Sequence, residues 1–595
     1  MTSDSGAARP RGTQPATVPG RPGPADSAPL SATQMTVAQL RTMSRLGRRE
    51  FLGTTALAGL GGLLAACGGG TSSGSSSSAP AGQLDRTAML NFTMSTTIPG
   101  LDPQKWWNGA AACGQMALFE PLLAVDPYTQ KLVPHLASAL PTASNHNLTY
   151  TFKLRPNVKF SNGLPLTSAD VKYSFERLVI PSFGSEASSL YTTLAIKGMS
   201  DVVNQKAKTL TGITTPDPHT IVFDFDFPDS AFIYLIAQGL AGVVPMSMVE
   251  DVGFSKFNWS PVGTGPFTAH VVNQQSQITL KRNPRYWNPS VPQYGGVNWQ
   301  MGIDDSLSMI RIESGQQDMM YDPVPSGYVQ NVVGNPTYQR DHQAVKTAQD
   351  NCYWLSLSLK DPLLKDIRVR QAIAMAIDKP RILQVMNDLG HVANGGFFAP
   401  LSPYYQDGLA YGHNLAKAKA LMAEAKIPAG ASVKMWSSNR FPYLAVGQVI
   451  QANLAAIGIK VEFVPMEYNA FVSFTGNSPA GILIWAWELG YPSGSYIVDS
   501  AFTTSAQKEG CCNYPWYSSQ NVDQLAVQAH RSTNPADIVA IYKQIDKIIV
   551  RDQVLWVPLI YPIRLDLVSA RVRDFQASVG GGEDQPRFFY KYGLT

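Results

Sequence analysis

Residues 68–78 read Gly-Gly-Gly-Thr-Ser-Ser-Gly-Ser-Ser-Ser-Ser, and this tract constrains the chain more than any other feature, because it has no apolar side chain to bury. A Gly/Ser run of this kind behaves as a flexible coil, with a mean reach of about 20–25 Å over roughly sixteen residues. It divides the sequence into a leading segment and a body that must fold by itself beyond the tether. The leading segment also carries the charge. Residues 1–66 hold seven arginines and three acids, which accounts for the whole formal net charge of +4 and leaves the body neutral. A neutral body without Lys/Arg runs lacks the electrostatic footprint of a nucleic-acid binder, so nucleic acid is not expected as a partner.

Arg48-Arg49-Glu50-Phe51-Leu52 precedes a 14-residue run, Gly53–Ala66, rich in Ala, Gly and Leu. A positive region, an apolar segment and then small residues form the layout of an export signal. The paired arginines resemble the twin-arginine signal, with Gly47 and Gly53 standing where Ser/Thr and Lys are commoner. Leu64-Ala65-Ala66-Cys67 resembles a bacterial lipobox, which implies cleavage before Cys67 and diacylation of its thiol. Residues 1–66 are therefore read as export signal and 67–84 as lipidated cysteine plus tether. The protein is expected outside the cytoplasm, held on the outer face of the cell membrane by that lipid. Residues 1–42 do not fit a usual signal: either translation begins at Met43, or they are a disordered extension lost with the signal.

At 595 residues with 44% hydrophobic side chains, the chain can bury real cores and could hold up to four units. No stretch reaches the roughly 18–20 apolar residues of a membrane-spanning helix. Thr149–Leu154 and Thr220–Phe225 alternate with period two, as strands do. Ser168–Leu178 reads as a helix capped by Thr167 or Ser168, with Asp170 in its first turn. Arg368–Ala376, Leu415–Ala425 (after Asn414) and Ala536–Val550 carry helical apolar spacing. Mixed strands and helices without a 20–50-residue repeat argue for α/β lobes. With Cys67 assigned to lipid, Cys113, Cys352, Cys511 and Cys512 leave both a disulfide and four buried thiols open.

Seven blocks, taken in order, carry a family resemblance. They are Leu101-Asp102-Pro103 with Phe119-Glu120-Pro121-Leu122 and Leu132-Val133-Pro134-His135-Leu136-Ala137; Tyr150–Gly163 running on to Arg177; Val262–Phe267; Arg282-Asn283-Pro284-Arg285-Tyr286-Trp287; Ser314–Asp318; Asp366–Lys379; and Ile457–Val461. Together they resemble the family 5 extracellular solute-binding proteins, the oligopeptide- and dipeptide-binding group of ABC importers, over about residues 88–575. The resemblance implies an α/β, two-lobed periplasmic-binding-protein-like fold (class II, the large variant with an extra subdomain) whose hinge has two crossovers. It places the first lobe at about 85–298 plus a return segment 550–595, and the second at 299–549. It also implies a monomer and no cofactor. Its partners would be a small solute and the membrane permease subunits of an importer. Gly263, Gly265 and Pro266, and the dipeptide Asn162-Gly163, are read as turn formers rather than ligand contacts.

Aromatic density points to the solute. Trp485 and Trp487 lie two apart in an apolar run, so in a strand they share a face. The resemblance places this strand at the cleft, where peptide-binding relatives carry Trp-x-x-Asp-Tyr and the Asp pairs with a peptide's ammonium. Here the run is Trp487-Glu488-Leu489-Gly490-Tyr491, with Gly490 in the place of that Asp. Either Glu488 supplies the charge or the solute has no free amine there, because an unpaired ammonium out of water costs several kcal/mol. A peptide-like solute is the first reading and an oligosaccharide the second. Thr96, Thr97, Trp106, Tyr353, Trp354 and Tyr468 complete the candidate set.

No Gly-x-Ser-x-Gly elbow, His-Glu-x-x-His helix or phosphate loop stands in the body, and the eight histidines are scattered singly. Neither catalysis nor a metal is therefore expected. Carboxylates forming a glycosidase pair would make a secreted hydrolase, which would turn its solute over. The expected mechanism is capture by hinge closure, driven by contacts that favour the closed state, and delivery to the permease.

Overall fold

The computed structural model describes residues 84–595 apart from 107–108, 275, 429, 509, 511 and 581–586, and leaves out the side chains of Asn469 and Glu488. The export signal, Cys67 and the tether lie outside the described residues. Among those residues, no helix is long and apolar enough to cross a membrane.

The alternation at 149–154 does form a strand, Thr149–Lys153, which pairs antiparallel with Thr220–Asp224 so that Phe152 faces Ile221 and Tyr150 faces Phe223. Two further strands complete a four-stranded sheet. The helix Ser168–Val179 covers it, setting Phe175 edge-on to Phe223 at 5.6 Å between ring centres. Its entry is fixed as the sequence predicts: the amide of Thr167 donates to Asp170 at 3.0 Å and its hydroxyl at 2.6 Å. This is the extra subdomain of the first lobe.

The main sheet of that lobe has five strands in the order Met319–Met320, Met89–Met94, Gly296–Met301, Gln277–Arg282 and Phe267–Asn273. The first three run parallel and the last three antiparallel. Leu90, Phe92, Val297 and Trp299 pack there against the helix Gly109–Leu118.

The second lobe is built on a larger sheet, ordered Ala344–Ala348, Trp556–Leu567, Asn351–Leu357, Ile482–Glu488, Ser432–Ser438 and Lys460–Met466, with Gly390–Val392 added beside Trp556–Leu567. Both faces are covered. Ile482, Ile484 and Ala486 enter one core with Ile373 and Ile450 from the helices Ile367–Ala376 and Tyr443–Ala455. Leu483, Trp485 and Trp487 pack on the other face, in a core that runs on into the subdomain of the first lobe. The predicted helix at 415–425 spans Leu415–Glu424, with Asn414 accepting from the amide of Lys417 at 2.9 Å.

Two crossovers join the lobes, and both come later than the expected boundaries at 298/299 and 549/550. Met319 and Met320 still pair with Phe92 and Thr93 in the first sheet. Trp556–Leu567, expected in the return to the first lobe, instead lies inside the second sheet between Ala344–Ala348 and Asn351–Leu357. Apart from Arg564 and Asp566 it is apolar, and it is buried on both faces, which is the signature of an interior strand. The return to the first core begins at Val568. The two passages run side by side. The amide of Val324 donates to Leu565 at 2.9 Å, and buried Arg587 bonds both the carboxylate of Asp566 (2.6 Å) and the carbonyl of Tyr321 (2.8 Å).

Candidate functional site

A cavity of about 420 Å³ lies where the main part of the first lobe, its subdomain and the second lobe meet. The helix Gly109–Leu118 gives one wall, because Gly109, Ala112 and Met116 recur at helical spacing and share a face. Its opposite side holds Gly114 against Trp299, where a Cβ would stand only 2.5 Å from Leu101, so the helix is seated too closely to turn. Phe119, Pro121 and His135 continue the wall, Gln238 and Leu240 enter from the subdomain, and Leu489, Gly490, Pro492 and Tyr496 come from the second lobe. Ser578, Phe588 and Tyr590 close it from the return segment.

Several blocks that carry the family resemblance turn out to hold this wall from behind. Glu120 is fully buried and accepts from the hydroxyl of Tyr286 (2.8 Å) and the indole of Trp287 (2.9 Å), with Nε2 of His135 3.2 Å away. Burial lowers the pKa of His135 against the pull of Glu120, so the imidazole is neutral. Its Nδ1 has no partner among the described residues. Trp106 is clamped by its indole N–H to Asn258 at 2.9 Å. The same Asn258 oxygen accepts from the amides of Leu101 and Asp102, and Asp102 pairs with Arg177 at 2.6 Å.

The candidate residues separate into three groups. Trp106 and Gly490 line the cavity. Trp485 and Trp487 share a face, as their spacing predicts; both are half-buried and pack with the fully buried Trp354 in an aromatic layer. Trp354 stacks on Trp556 with ring centres 3.8 Å apart, while Trp485 lies on Phe471 at 4.6 Å and Trp487 stands 6.2 Å from Tyr514. Tyr353 points to the opposite core, against Tyr443. Tyr491 is buried, bonded to Ser495 and stacked at 6.5 Å on Tyr234 of the subdomain. Thr96, Thr97 and Tyr468 stand away from the cavity, Tyr468 beneath the guanidinium of Arg440 at 4.1 Å. Glu488 pairs with Asn351 through its backbone.

Sequence reasoning missed Tyr496, His135, the three glutamines Gln115, Gln130 and Gln238, and the pair Phe588 and Tyr590. Gln115 did leave a signal, as the one polar side chain besides the thiol of Cys113 in a helix of Gly, Ala, Met and Leu. A clamp beside the cavity was also missed. His530 of the second lobe bonds Asp229 of the subdomain through Nδ1 (3.0 Å) and Asp499 of its own lobe through Nε2 (2.6 Å). Burial opposes its charge, but the two carboxylates outweigh burial and hold its pKa well above the ordinary value.

Cys113 and Cys352 are buried thiols in separate cores. Among the described residues, no group of three His, Cys, Asp or Glu side chains is placed to hold a metal ion.

The sequence model of the bacterial extracellular solute-binding proteins, family 5 Middle, matches residues 131–509. The glutathione-binding protein GsiB of Escherichia coli O1:K1 is 25% identical over 485 residues, covering 80% of this chain and 89% of that protein. The solved structure of clavulanic acid biosynthesis oligopeptide binding protein 2 superposes with a TM-score of 0.76 at 20% identity, over 86% of this chain and 96% of its own. The periplasmic binding protein DppA from Helicobacter pylori, in complex with the peptide STSA, gives a TM-score of 0.72 at 22% identity, over 86% and 98%.

Proposed function

This chain belongs to the family 5 extracellular solute-binding proteins of ABC importers, and we propose that it captures a peptide-like solute in the cavity between its lobes and hands it to a membrane permease. The observation that carries this reading is the cavity of about 420 Å³, walled by both lobes and beside a two-stranded hinge. That size suits a small ligand, since pockets for such molecules run to roughly 300–1,000 Å³. A solute touching both lobes favours the closed arrangement, which is the form a permease can recognise. The ligands of two relatives, glutathione and the peptide STSA, make a peptide the first choice. In this reading Cys67 carries the lipid that holds the protein outside the membrane, on the tether 68–84.

Native mass spectrometry of the protein purified without unfolding tests the proposal. Excess masses that are sums of amino-acid residues are expected. Hexose increments would replace the peptide by an oligosaccharide, a second reading favoured by the aromatic lining and few charges of the cavity. A protein that carries no cargo and takes up no solute would overturn the proposal.

A further inference from the structure

The helix Gln520–Arg531 of the second lobe ends against the subdomain of the first lobe. The carbonyl of His530 accepts from the amide of Ser230 at 2.9 Å, and that of Ala529 from the Ser230 hydroxyl at 2.9 Å. The guanidinium of Arg531 lies over the ring of Phe227 at 4.7 Å. Between these contacts the His530 ring spans Asp229 of the subdomain and Asp499 of its own lobe, one on each nitrogen. Both carboxylates belong to segments that carry cavity wall. Asp499 stands one turn beyond the lining Tyr496 on the helix Ser495–Ala501. Asp229, which also accepts from the amide of Ala231 at 3.1 Å, leads into the helix Phe232–Leu235 and on to the lining Ala237 and Gln238.

A ring between two carboxylates bridges them only while it is charged. An imidazolium has two N–H donors, whereas a neutral imidazole has one donor and one lone pair, and the lone pair would face a carboxylate oxygen. Burial opposes the charge, but Asp499 and Asp229 outweigh it, so the ring carries its second proton at neutral pH. The other ionisable groups that bear on the two carboxylates are Tyr491 and Tyr542 of the second lobe and Tyr150 of the subdomain. Burial raises all three above 10.0, so between neutral pH and that value the ring is the group that changes charge.

We propose that His530 is a latch between the lobes: its second proton ties the subdomain to the second lobe and holds the closed arrangement, and loss of that proton frees one lobe and lets solute leave. The inference rests on the reading of the lobes as a hinged solute trap, and its test reads the lobes with no solute added.

Hydrogen exchange at the Ser230 amide is that test, because its acceptor lies across the interface. The Phe225 amide, bonded to Leu148 at 2.8 Å inside the subdomain, is the control. Protection is taken relative to the free-peptide rate at each pH. In wild type, Ser230 should lose at least about tenfold in protection as pH rises from about 6 to about 10, while Phe225 keeps its own. His530→Gln, with donors on one atom only, should show the low value throughout. Asp499→Asn should stay protected to the top of the range, because a neutral ring can donate to Asp229 and accept from the Asn amide. Protection at Ser230 that ignores pH, or that falls equally in Asp499→Asn, overturns the latch. An equal fall at Phe225 overturns it too, since the subdomain itself would then be opening. The expected pattern in a protein that carries no cargo and takes up no solute keeps the latch and removes the solute reading alone.

Discussion

Two aromatic walls meet near the junction of the lobes, and one is solid while the other is hollow. In the solid one, Trp354 and Trp485 are register partners on neighbouring strands, and Trp556 lies on the strand at the other side of Trp354. Strands about 4.8 Å apart bring such rings into contact, so they fill each other's space. In the hollow one, Trp106, Phe119, Phe588 and Tyr590 come from a loop, the end of a helix and the return segment, with no shared register. Trp106 is held from behind by Asn258. Rings on adjacent strands make a core; rings converging from separate segments leave room for a guest.

The sharpest way to break this contrast is Trp556→Ala. Removing a fully buried indole from the stack should cost about 3–5 kcal/mol in denaturant unfolding. A loss below about 1 kcal/mol would mean that the layer is not a core. Next in size is His530→Gln, which removes a cation held by two carboxylates at the edge of the solid region. It should cost about 1.5–3 kcal/mol, as charged hydrogen bonds do. Since the folded pKa of His530 is raised above 6.5, its contribution is complete below that pH and fades as pH rises through the folded value. The gap between wild type and variant should therefore be widest in mild acid and close in alkali; a gap that widens with pH would contradict the assignment.

Smaller effects sharpen the hollow side. Trp106→Ala should weaken solute binding about tenfold, worth about 1.4 kcal/mol, while stability falls by no more than about that amount. If stability falls as far as in Trp556→Ala, the two walls do not differ. Thr97→Ala should shift stability by less than about 0.5 kcal/mol and leave affinity unchanged. A clear loss of affinity would return the 95–97 loop to the site.

Local structure was legible where one short-range rule decides it. Thr167 with Asp170, Asn414 with Lys417 and the period-two run at 149–153 all appear as read. The shared face of Trp485 and Trp487 was also legible, because strand alternation needs no tertiary information. Whether that face meets a solute or another ring depends on Trp556 and Tyr514, which are 71 and 29 positions beyond Trp485 in the chain. Tyr496 was hidden for a similar reason: nothing in the helix Ser495–Ala501 shows that its ring will lie over Gly490. The second crossover was not legible by position, since the largely apolar strand Trp556–Leu567, buried on both faces, belongs inside the second sheet.

The helix that forms one cavity wall also carries Cys113, whose sulfur accepts the backbone N–H of Arg587 at 3.1 Å, and Arg587 braces both hinge passages. Burial pushes that thiol up to about 12, so almost none of it is thiolate at neutral pH. An alkylating reagent should therefore react there only during moments when the return segment lifts away. Site-resolved labelling, with deeply buried Cys352 as the reference that reacts only on unfolding, would count those moments. A bound solute should lengthen the interval between them, making Cys113 a native stopwatch for the hinge that needs no engineered probe.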